Sequence, residues 1–441
     1  MSRLAGWGRY PVRAAAEVVA PADAAGVARA LAAGPAIARG LGRAYGDAAL
    51  APRVIDMTRM DRFLAFVPAT GRLEAEAGLS LATLIDTLLP RGWFPGVTPG
   101  TRFVTLGGAI AADVHGKNHH RDGSFGSYVD WIDVMGPGGS VTRASRTENP
   151  DLFAWTLGGM GLTGVILRAG LRLRRVETGW IRQETLPAPN LDAAIEAFEE
   201  GMDATYSVAW IDALASGPAL GRSLVMLGEH ARLADLPERA RRAPFATPEP
   251  PRLSVPLDVP GFVLGPVTVR AFNALYWRMG LRNAGWRLIP WRPYFYPLDA
   301  VGNWNRIYGR RGFLQFQCVL PLAQARAGLK AVLGAIAADG SGSFLAVLKR
   351  FGAQDSRLSF PTEGYTLALD FPATPDVLRL MGRLDGLVAD HGGRFYLAKD
   401  ARMPAEVARR TDPRLAAFAD WRRGAGLAGA FASDLSERLE L

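Results

Sequence analysis

Scarce residue types give the first clues to chemistry. Of 51 basic residues only four are lysines, Lys117, Lys330, Lys349 and Lys399; the other 47 are arginines. A chain that uses arginine wherever a fixed positive charge serves keeps lysine where a compact ammonium, or one able to lose its proton, is needed. Histidine is equally thin, and three of the five fall in one stretch, Asp113-Val-His-Gly-Lys-Asn-His-His120. No carboxylate or cysteine is spaced to complete a metal shell there, so no metal is expected. The lone Cys318 excludes an internal disulfide and reads as inert core in a strand-like run.

Four glycine-rich motifs accompany these residues. They are Arg39-Gly-Leu-Gly-Arg-Ala-Tyr-Gly-Asp47; Thr98-Pro-Gly-Thr101 with Thr105-Leu-Gly-Gly-Ala-Ile-Ala-Ala112; the histidine stretch itself; and Gly158-Gly-Met-Gly-Leu-Thr-Gly164. Glycine lets backbone N–H groups turn toward an anion and lets a phosphate or flat ring approach bare backbone. The first motif is not a Walker loop, lacking GK[ST]. Nor is it a Rossmann fingerprint, for its glycine spacing differs and no long helix follows. Each alone fits a structural turn equally well. Four together, none matching a mononucleotide loop, argue for a large extended cofactor.

The elements that must position these motifs alternate. From about residue 14 to 175 run strand-like AEVVA, helical PADAAGVARALAAG, strand-like RVIDMT and alternating GRLEAEAGLS. Helical LATLIDTLLPRG, the hairpin WIDVMGPGGSVTRAS and alternating GVILRAGLRLRRV follow. The pattern predicts an α+β fold. A second stretch opens near Glu177 with strands and the helix LDAAIEAFEEGM, then becomes Pro-dense in RRAPFATPEPPRLSVPLDVPGFVLGPV, which reads as a long loop or lid. In VRAFNALYWRMGLRNAGWRLIPWRPYFYP aromatic residues interleave with arginine. That composition suits a membrane interface or an apolar-tailed ligand, and equally a helix packed over the core. A last stretch, after about residue 393, is too short to fold alone and should pack back on the rest.

Composition bounds the remaining classes. Over 441 residues, 49% hydrophobic and 21% charged content excludes long disorder and collagen-like or disulfide-stapled scaffolds. The net charge of +9 comes from scattered arginines without a basic run, so no nucleic-acid partner is expected. No signal-peptide h-region and no uninterrupted apolar run of spanning length occur, which predicts a cytoplasmic protein, peripheral at the inner membrane if it touches one.

The order GRAYGD, PGT with TLGGAIAADVHGKNHH, GSFG and GLTG resembles the PCMH-type FAD-binding domain of the vanillyl-alcohol-oxidase superfamily. Farther along, GNWNRIYGRRGFLQFQ (302–317), LDFP (369–372), GGRFYLAKDAR (392–402) and FASDLSERLEL (431–441) resemble its decaprenylphosphoryl-β-D-ribose 2′-oxidase branch. The resemblance implies an FAD-binding domain over 1–177 and a substrate-binding cap domain with an antiparallel sheet over 178–392, with a Pro-rich mobile loop at about 235–300. A segment over 393–441 returns to the FAD domain. It also implies FAD contacts at Arg39, Gly40, Leu41, Gly42, Arg43, Ala44, Tyr45, Gly46 and Asp47, then at Gly100, Thr101, Thr105, Leu106, Gly107 and Gly108. Further contacts fall on Ala112, Asp113, Val114, His115, Asn118, Ser124, Gly164, Ile166 and Tyr396. The substrate side falls on Trp210, Gln315, Gln317, Lys349, Phe351 and Lys399, with Lys399, His115 and Lys117 as the catalytic candidates.

The implied activity is oxidation of the 2′-hydroxyl of a polyprenyl-phosphoryl-β-D-ribose by hydride transfer to flavin N5. This is the first half of an epimerisation toward an arabinose donor for cell-envelope glycan. With no nicotinamide fingerprint in this chain, the NADH-dependent keto-reductase would be a separate subunit. Lys399 is expected to bind the reacting hydroxyl; in a purely structural role it would instead pair with Asp370 or Asp400. Lys330, in helical LAQARAGLKAVLGAI, reads as a surface charge. Many superfamily members tether the flavin through a histidine where this chain has Arg43, which implies non-covalent FAD. Where mycobacterial members carry cysteine, this chain has Ala368, and Thr366 stands where asparagine is usual. A free-alditol or aldonolactone oxidase of the same superfamily, and a non-catalytic flavin-binding subunit, are the alternative readings.

Overall fold

The first glycine loop hangs from a small parallel sheet. Strands β1 (Glu17–Val19), β2 (Ile37–Arg39) and β3 (Arg53–Asp56) pair in the order β1-β3-β2. Parallel neighbours need a crossover, and helix α1 (Ala24–Ala32) supplies it, capped where the Asp23 carboxylate accepts from the Gly26 N–H. The chain leaves β2 directly into the Arg39–Asp47 loop. The computed structural model describes residues 2–249, 253–260, 265–343 and 345–441.

An antiparallel sheet follows, made of β4 (Phe63–Val67), β5 (Arg72–Glu76), β6 (Trp93–Pro95), β7 (Val129–Met135), β8 (Val141–Ser145) and β9 (Val165–Arg175). Its order is β8-β7-β9-β5-β4, with β6 paired to the far end of β9. The hairpin read in WIDVMGPGGSVTRAS is β7–β8, closing at Met135 opposite Val141. Helix α2 (Leu106–Ala111) packs on β9; the Thr105 side chain caps it by accepting from Gly108 N–H. Its Leu106, Ala109 and Ile110 are buried, so its glycines Gly107 and Gly108 are left for the opposite side.

The second half is an eight-stranded antiparallel sheet. Its strands are β10 (Trp180–Ala188), β11 (Tyr206–Ile211), β12 (Ser223–His230), β13 (Gly285–Pro290), β14 (Phe313–Pro321), β15 (Ala346–Phe351), β16 (Gly364–Pro372) and β17 (Arg394–Phe395). They pair in the order β13-β10-β12-β11-β15-β16-β14-β17. Helices of this half are α3 (Leu191–Glu200), α4 (Pro266–Arg282), α5 (Trp291–Phe295), α6 (Leu322–Asp339) and α7 (Pro375–Asp390). The apolar stripe Val377, Leu380, Met381, Leu384 and Val388 turns α7 onto the core. Its start is fixed by Pro375 in the first turn and by the Thr374 hydroxyl, which accepts from Val377 N–H. In the same core cluster Leu348, Leu367 and Leu369 are fully buried, and truncating any of them to alanine should cost about 2–5 kcal/mol.

The α+β class expected from the sequence is what the chain adopts. The Pro-dense run is largely free of helix and strand where described, but the loop expected to reach about residue 300 ends at 265. Residues 266–282 form α4 and 285–290 form the edge strand β13, paired with β10 from Trp180–Pro290 to Thr185–Gly285. The helix packs through Val269, Asn273 and Gly280, which are buried. Residues 250–252 and 261–264 of that stretch lie outside the described residues. The C-terminal segment packs on the first glycine loop, where Tyr45 N–H donates to Ala398 and Asp434 N–H to Leu50. Among the described residues no helix is long and apolar enough to cross a membrane.

Candidate active site

Strand register builds one wall of the cleft from side chains. Trp210 on β11 lies opposite Val347 on β15, Val347 opposite Ala368 on β16, and Ala368 opposite Gln317 on β14. Lys349 pairs with Thr366, and Gln315 with Asp370. Side chains alternate along a strand, so these positions share the face opposite Leu348, Leu367 and Leu369. Residues 100 or more apart in sequence are thereby brought level. Lys349, Gln315, Gln317 and Ala368 line the cleft, together with Leu345 and Val347.

The other wall is bare backbone. It is formed by Arg39–Gly46, Gly100–Thr101, Thr105, Gly107–Gly108, Ala112, Val114, Gly164 and Ile166. Two of its glycines cannot be replaced without movement: a Cβ on Gly46 would lie 1.8 Å from the Asp400 carbonyl oxygen, and one on Gly40 2.2 Å from Thr105 Oγ1. Gly100 is the converse case, since a Cβ there meets nothing within 4 Å and would protrude into the cleft. The cleft holds about 1710 Å³ of empty space, its open mouth included, room for a dinucleotide rather than a lone phosphate. Arg39 braces the loop by donating to the Ala49 and Ala5 carbonyls. Arg43 stacks over Trp7 at 3.9 Å and keeps its Nε buried without a partner. A cradle of glycines with an unsatisfied guanidinium fits the pyrophosphate and flat rings of FAD.

Where the walls meet stand the titratable groups. Lys399 lines the cleft with Nζ 3.6 Å from the Tyr45 ring centre. Burial lowers its ammonium to about 7, against the opposing pull of Asp370 and with further help from Lys349. Lys349 is lowered to about 8 by burial. His115 is held well below its ordinary range by burial, then by Lys349 and other cations, so it is neutral at pH 7. Gln317 Nε2 donates to His115 Nε2 at 2.9 Å, which leaves the ring proton on Nδ1, itself buried and unpartnered. The site therefore offers a neutral amine able to take a proton, a second cationic amine and a neutral imidazole.

Other residues named from the sequence sit just outside the lining. Asp47 is bound by Arg438, and Leu106 is core. Asp113, Asn118 and Ser124 form a buried support behind His115. There Asp113 accepts from Ser124 Oγ, Ser359 Oγ and Gly126 N–H, while Asn118 donates to the Gly96 carbonyl. Phe351 packs its ring against His115 at 4.7 Å and His119 at 4.4 Å. Trp210 is covered by Tyr276 of α4. Lys117 does not reach the cleft, for its Nζ donates to the Tyr294 carbonyl and lies over the Tyr294 ring. Lys330 pairs with Asp192 at the surface, and Asp400 is taken by Arg438. His115, Gln315, Gln317, Lys349, Tyr396 and Lys399 come together in the cleft. Leu298, Leu345 and Val347 also line the cleft; nothing in the sequence marks them, because they are ordinary apolar residues until the fold places them there.

The FAD binding domain family matches residues 15–145, the stretch that contributes most of the glycine wall. Fold and cleft together define an FAD-dependent oxidoreductase of the two-domain vanillyl-alcohol-oxidase type. Over its full length the chain is 37% identical to the decaprenylphosphoryl-β-D-ribose oxidase of Mycolicibacterium smegmatis, covering 97% of that protein. It is 34% identical to an uncharacterized Streptomyces coelicolor protein from the mprA 5′ region, with 82% of this chain and 100% of that one aligned. Cytokinin dehydrogenase 2 of Oryza sativa subsp. japonica is 32% identical over 41% of the chain and 35% of its own length. The chain belongs to the decaprenylphosphoryl-β-D-ribose oxidase family.

Proposed function

We propose that the protein oxidises the 2′-hydroxyl of a polyprenyl-phosphoryl-β-D-ribose to the 2′-keto sugar, the first half of an epimerisation to the arabinose donor. The observation that carries this reading is the placement of Lys349, on the side-chain wall, and Lys399, where that wall meets the glycine wall, both lowered by burial and both lining the cleft. FAD, when bound, accepts the hydride. The chain's own part is to hold the sugar and move its proton. Lys399 Nζ, neutral above about pH 7, takes the hydroxyl proton as the C–H bond is lost. Lys349, His115 and the Gln315 and Gln317 amides orient the sugar and meet its phosphodiester charge. FAD is held non-covalently, because Arg43 occupies the tethering position and cannot form that bond.

The lipid tail suits α4 and its flanks. Leu257, Val267, Leu275, Met279, Leu281 and Trp286 are exposed there beside Arg270, Arg278, Arg282 and Arg287, an apolar-and-cationic face fit for an anionic membrane surface. The keto product then needs a separate NADH-dependent reductase subunit. The test is anaerobic mixing of the holoenzyme with polyprenyl-phosphoribose, free ribose and alditols. Bleaching of the flavin by the lipid-linked sugar is expected. Bleaching by a free alditol alone would replace this reading with that of a soluble-polyol oxidase.

A further inference from the structure

Linked to Lys399 through Gln315 and Tyr45 is a carboxyl group that the reading above does not use. Asp370, on β16, is fully buried. Its Oδ1 accepts from Gln315 Nε2 at 2.5 Å, and its Oδ2 has no partner. Beside it Tyr308, stacked on Phe313 with ring centres 4.5 Å apart, also keeps a buried hydroxyl without a partner. Tyr45, bonded to Gln315, completes the group, and its ring carries the Lys399 ammonium. Buried polar groups are almost always satisfied, so an unpartnered carboxylate oxygen one residue behind the cleft lining calls for a reason. A buried carboxylate in particular persists only when a cation or donors compensate it.

We propose that Asp370 is the positioning residue for Lys399, the buried counter-charge that, across Gln315 and Tyr45, orients this amine toward the reacting hydroxyl and stabilises the ammonium formed when the hydroxyl proton arrives. The proposal rests on the oxidation assigned above. In the step itself the substrate O–H bond breaks and its proton bonds to Lys399 Nζ. The carbinol C–H bond breaks with its electron pair leaving as hydride to the FAD, and the C–O bond becomes C=O. Asp370 forms no covalent bond; it faces one more positive charge after the step than before. Burial raises its carboxyl to about 7, against the Gln315 hydrogen bond and Lys399, so the pair shares its protons near neutrality. The titratable groups facing this pair are Tyr45 from the first loop, Tyr308 from the segment before β14, Lys349 from β15 and His115 from the loop after α2.

The test reads Lys399 directly. Holoenzyme is treated with an amine-modifying reagent across pH, and modification of Lys399 is followed by peptide mass spectrometry. Removing a nearby negative charge lowers an ammonium's pKa. Asp370→Asn should therefore move the midpoint for Lys399 at least one pH unit lower. The acid limb of flavin reduction should move with it, and the maximal rate should fall about tenfold or more. Asp370→Glu should restore most of the midpoint, and Gln315→Leu, which weakens the carboxylate, should shift it in the same direction as asparagine. Bound FAD content serves as the folding check. If Asp370→Asn does not hold FAD, the Gln315→Leu midpoint decides. An unmoved midpoint in a variant that retains FAD overturns the proposal. A shifted midpoint in an enzyme that no lipid-linked sugar reduces would sink the substrate reading and leave the Asp370–Lys399 pair standing.

Discussion

The two walls of the cleft are built by different means. The glycine wall is local: loops of consecutive residues present backbone, and each motif is complete within about ten positions. The side-chain wall is long-range: Lys349, Thr366, Ala368, Gln315 and Gln317 become neighbours only through the pairing of β15, β16 and β14. Backbone recognition tolerates no Cβ at its closest approaches, whereas a strand face tolerates exchange at alternate positions as long as the register holds. Cofactor binding should therefore fail abruptly under small changes. Substrate handling should change in degree.

The largest contrast is expected at Gly46. Its Cβ would fall 1.8 Å from the Asp400 carbonyl, so Gly46→Ala should displace the loop and yield protein without FAD after gel filtration. A yellow, stoichiometric Gly46→Ala protein would break the distinction between the walls. A middle-sized effect is expected at Lys117, which ties α5 to the loop after α2 rather than facing the cleft. Lys117→Met should leave flavin reduction within about threefold of wild type while removing a hydrogen bond worth ~1–3 kcal/mol to a buried carbonyl. Its pH dependence has a definite sign. Burial lowers this amine from 10.5 to about 7, so between those values the folded state holds fewer protons than the unfolded one. Wild-type stability from this group then rises with pH across that window, and the difference in melting temperature from the methionine variant should widen from pH 7 to pH 9. A difference that narrows would place Lys117 elsewhere. The smallest effect is expected at Ala368. Ala368→Cys should keep turnover within about threefold yet become the single thiol labelled in the native protein. Cys318, fully buried and pushed up to about 12 by burial, should stay unlabelled.

What could be read in the sequence follows the same division. GRAYGD and TLGGAIAADVHG announce a cofactor cradle because local backbone geometry dictates glycine, and Arg39–Gly46 do form that wall. The scarcity of lysine singled out Lys349 and Lys399, which line the cleft, but it could not separate them from Lys117, which points to Tyr294. That distinction is made by α5, which lies within the span of about 235–300 that the resemblance implied to be a mobile loop. Asp370 could be named from the sequence only as one of two possible ion-pair partners of Lys399, beside Asp400. Its orphaned oxygen and its closeness to Tyr308 depend on β14–β16 pairing, which no short window of sequence contains. Likewise Asp47 and Asp113 sit inside cofactor motifs yet serve as anchors for Arg438 and for Ser124.

The central claim is that the glycine wall holds FAD and that Lys399, where the two walls meet, moves the proton. Rapid anaerobic mixing of the Lys399→Ala holoenzyme with polyprenyl-phosphoribose tests it most directly. The account predicts an unchanged content of bound FAD and flavin reduction slowed by about 10²–10⁴-fold, the usual contribution of a positioned general base. Reduction at a near-wild-type rate in that variant would contradict it.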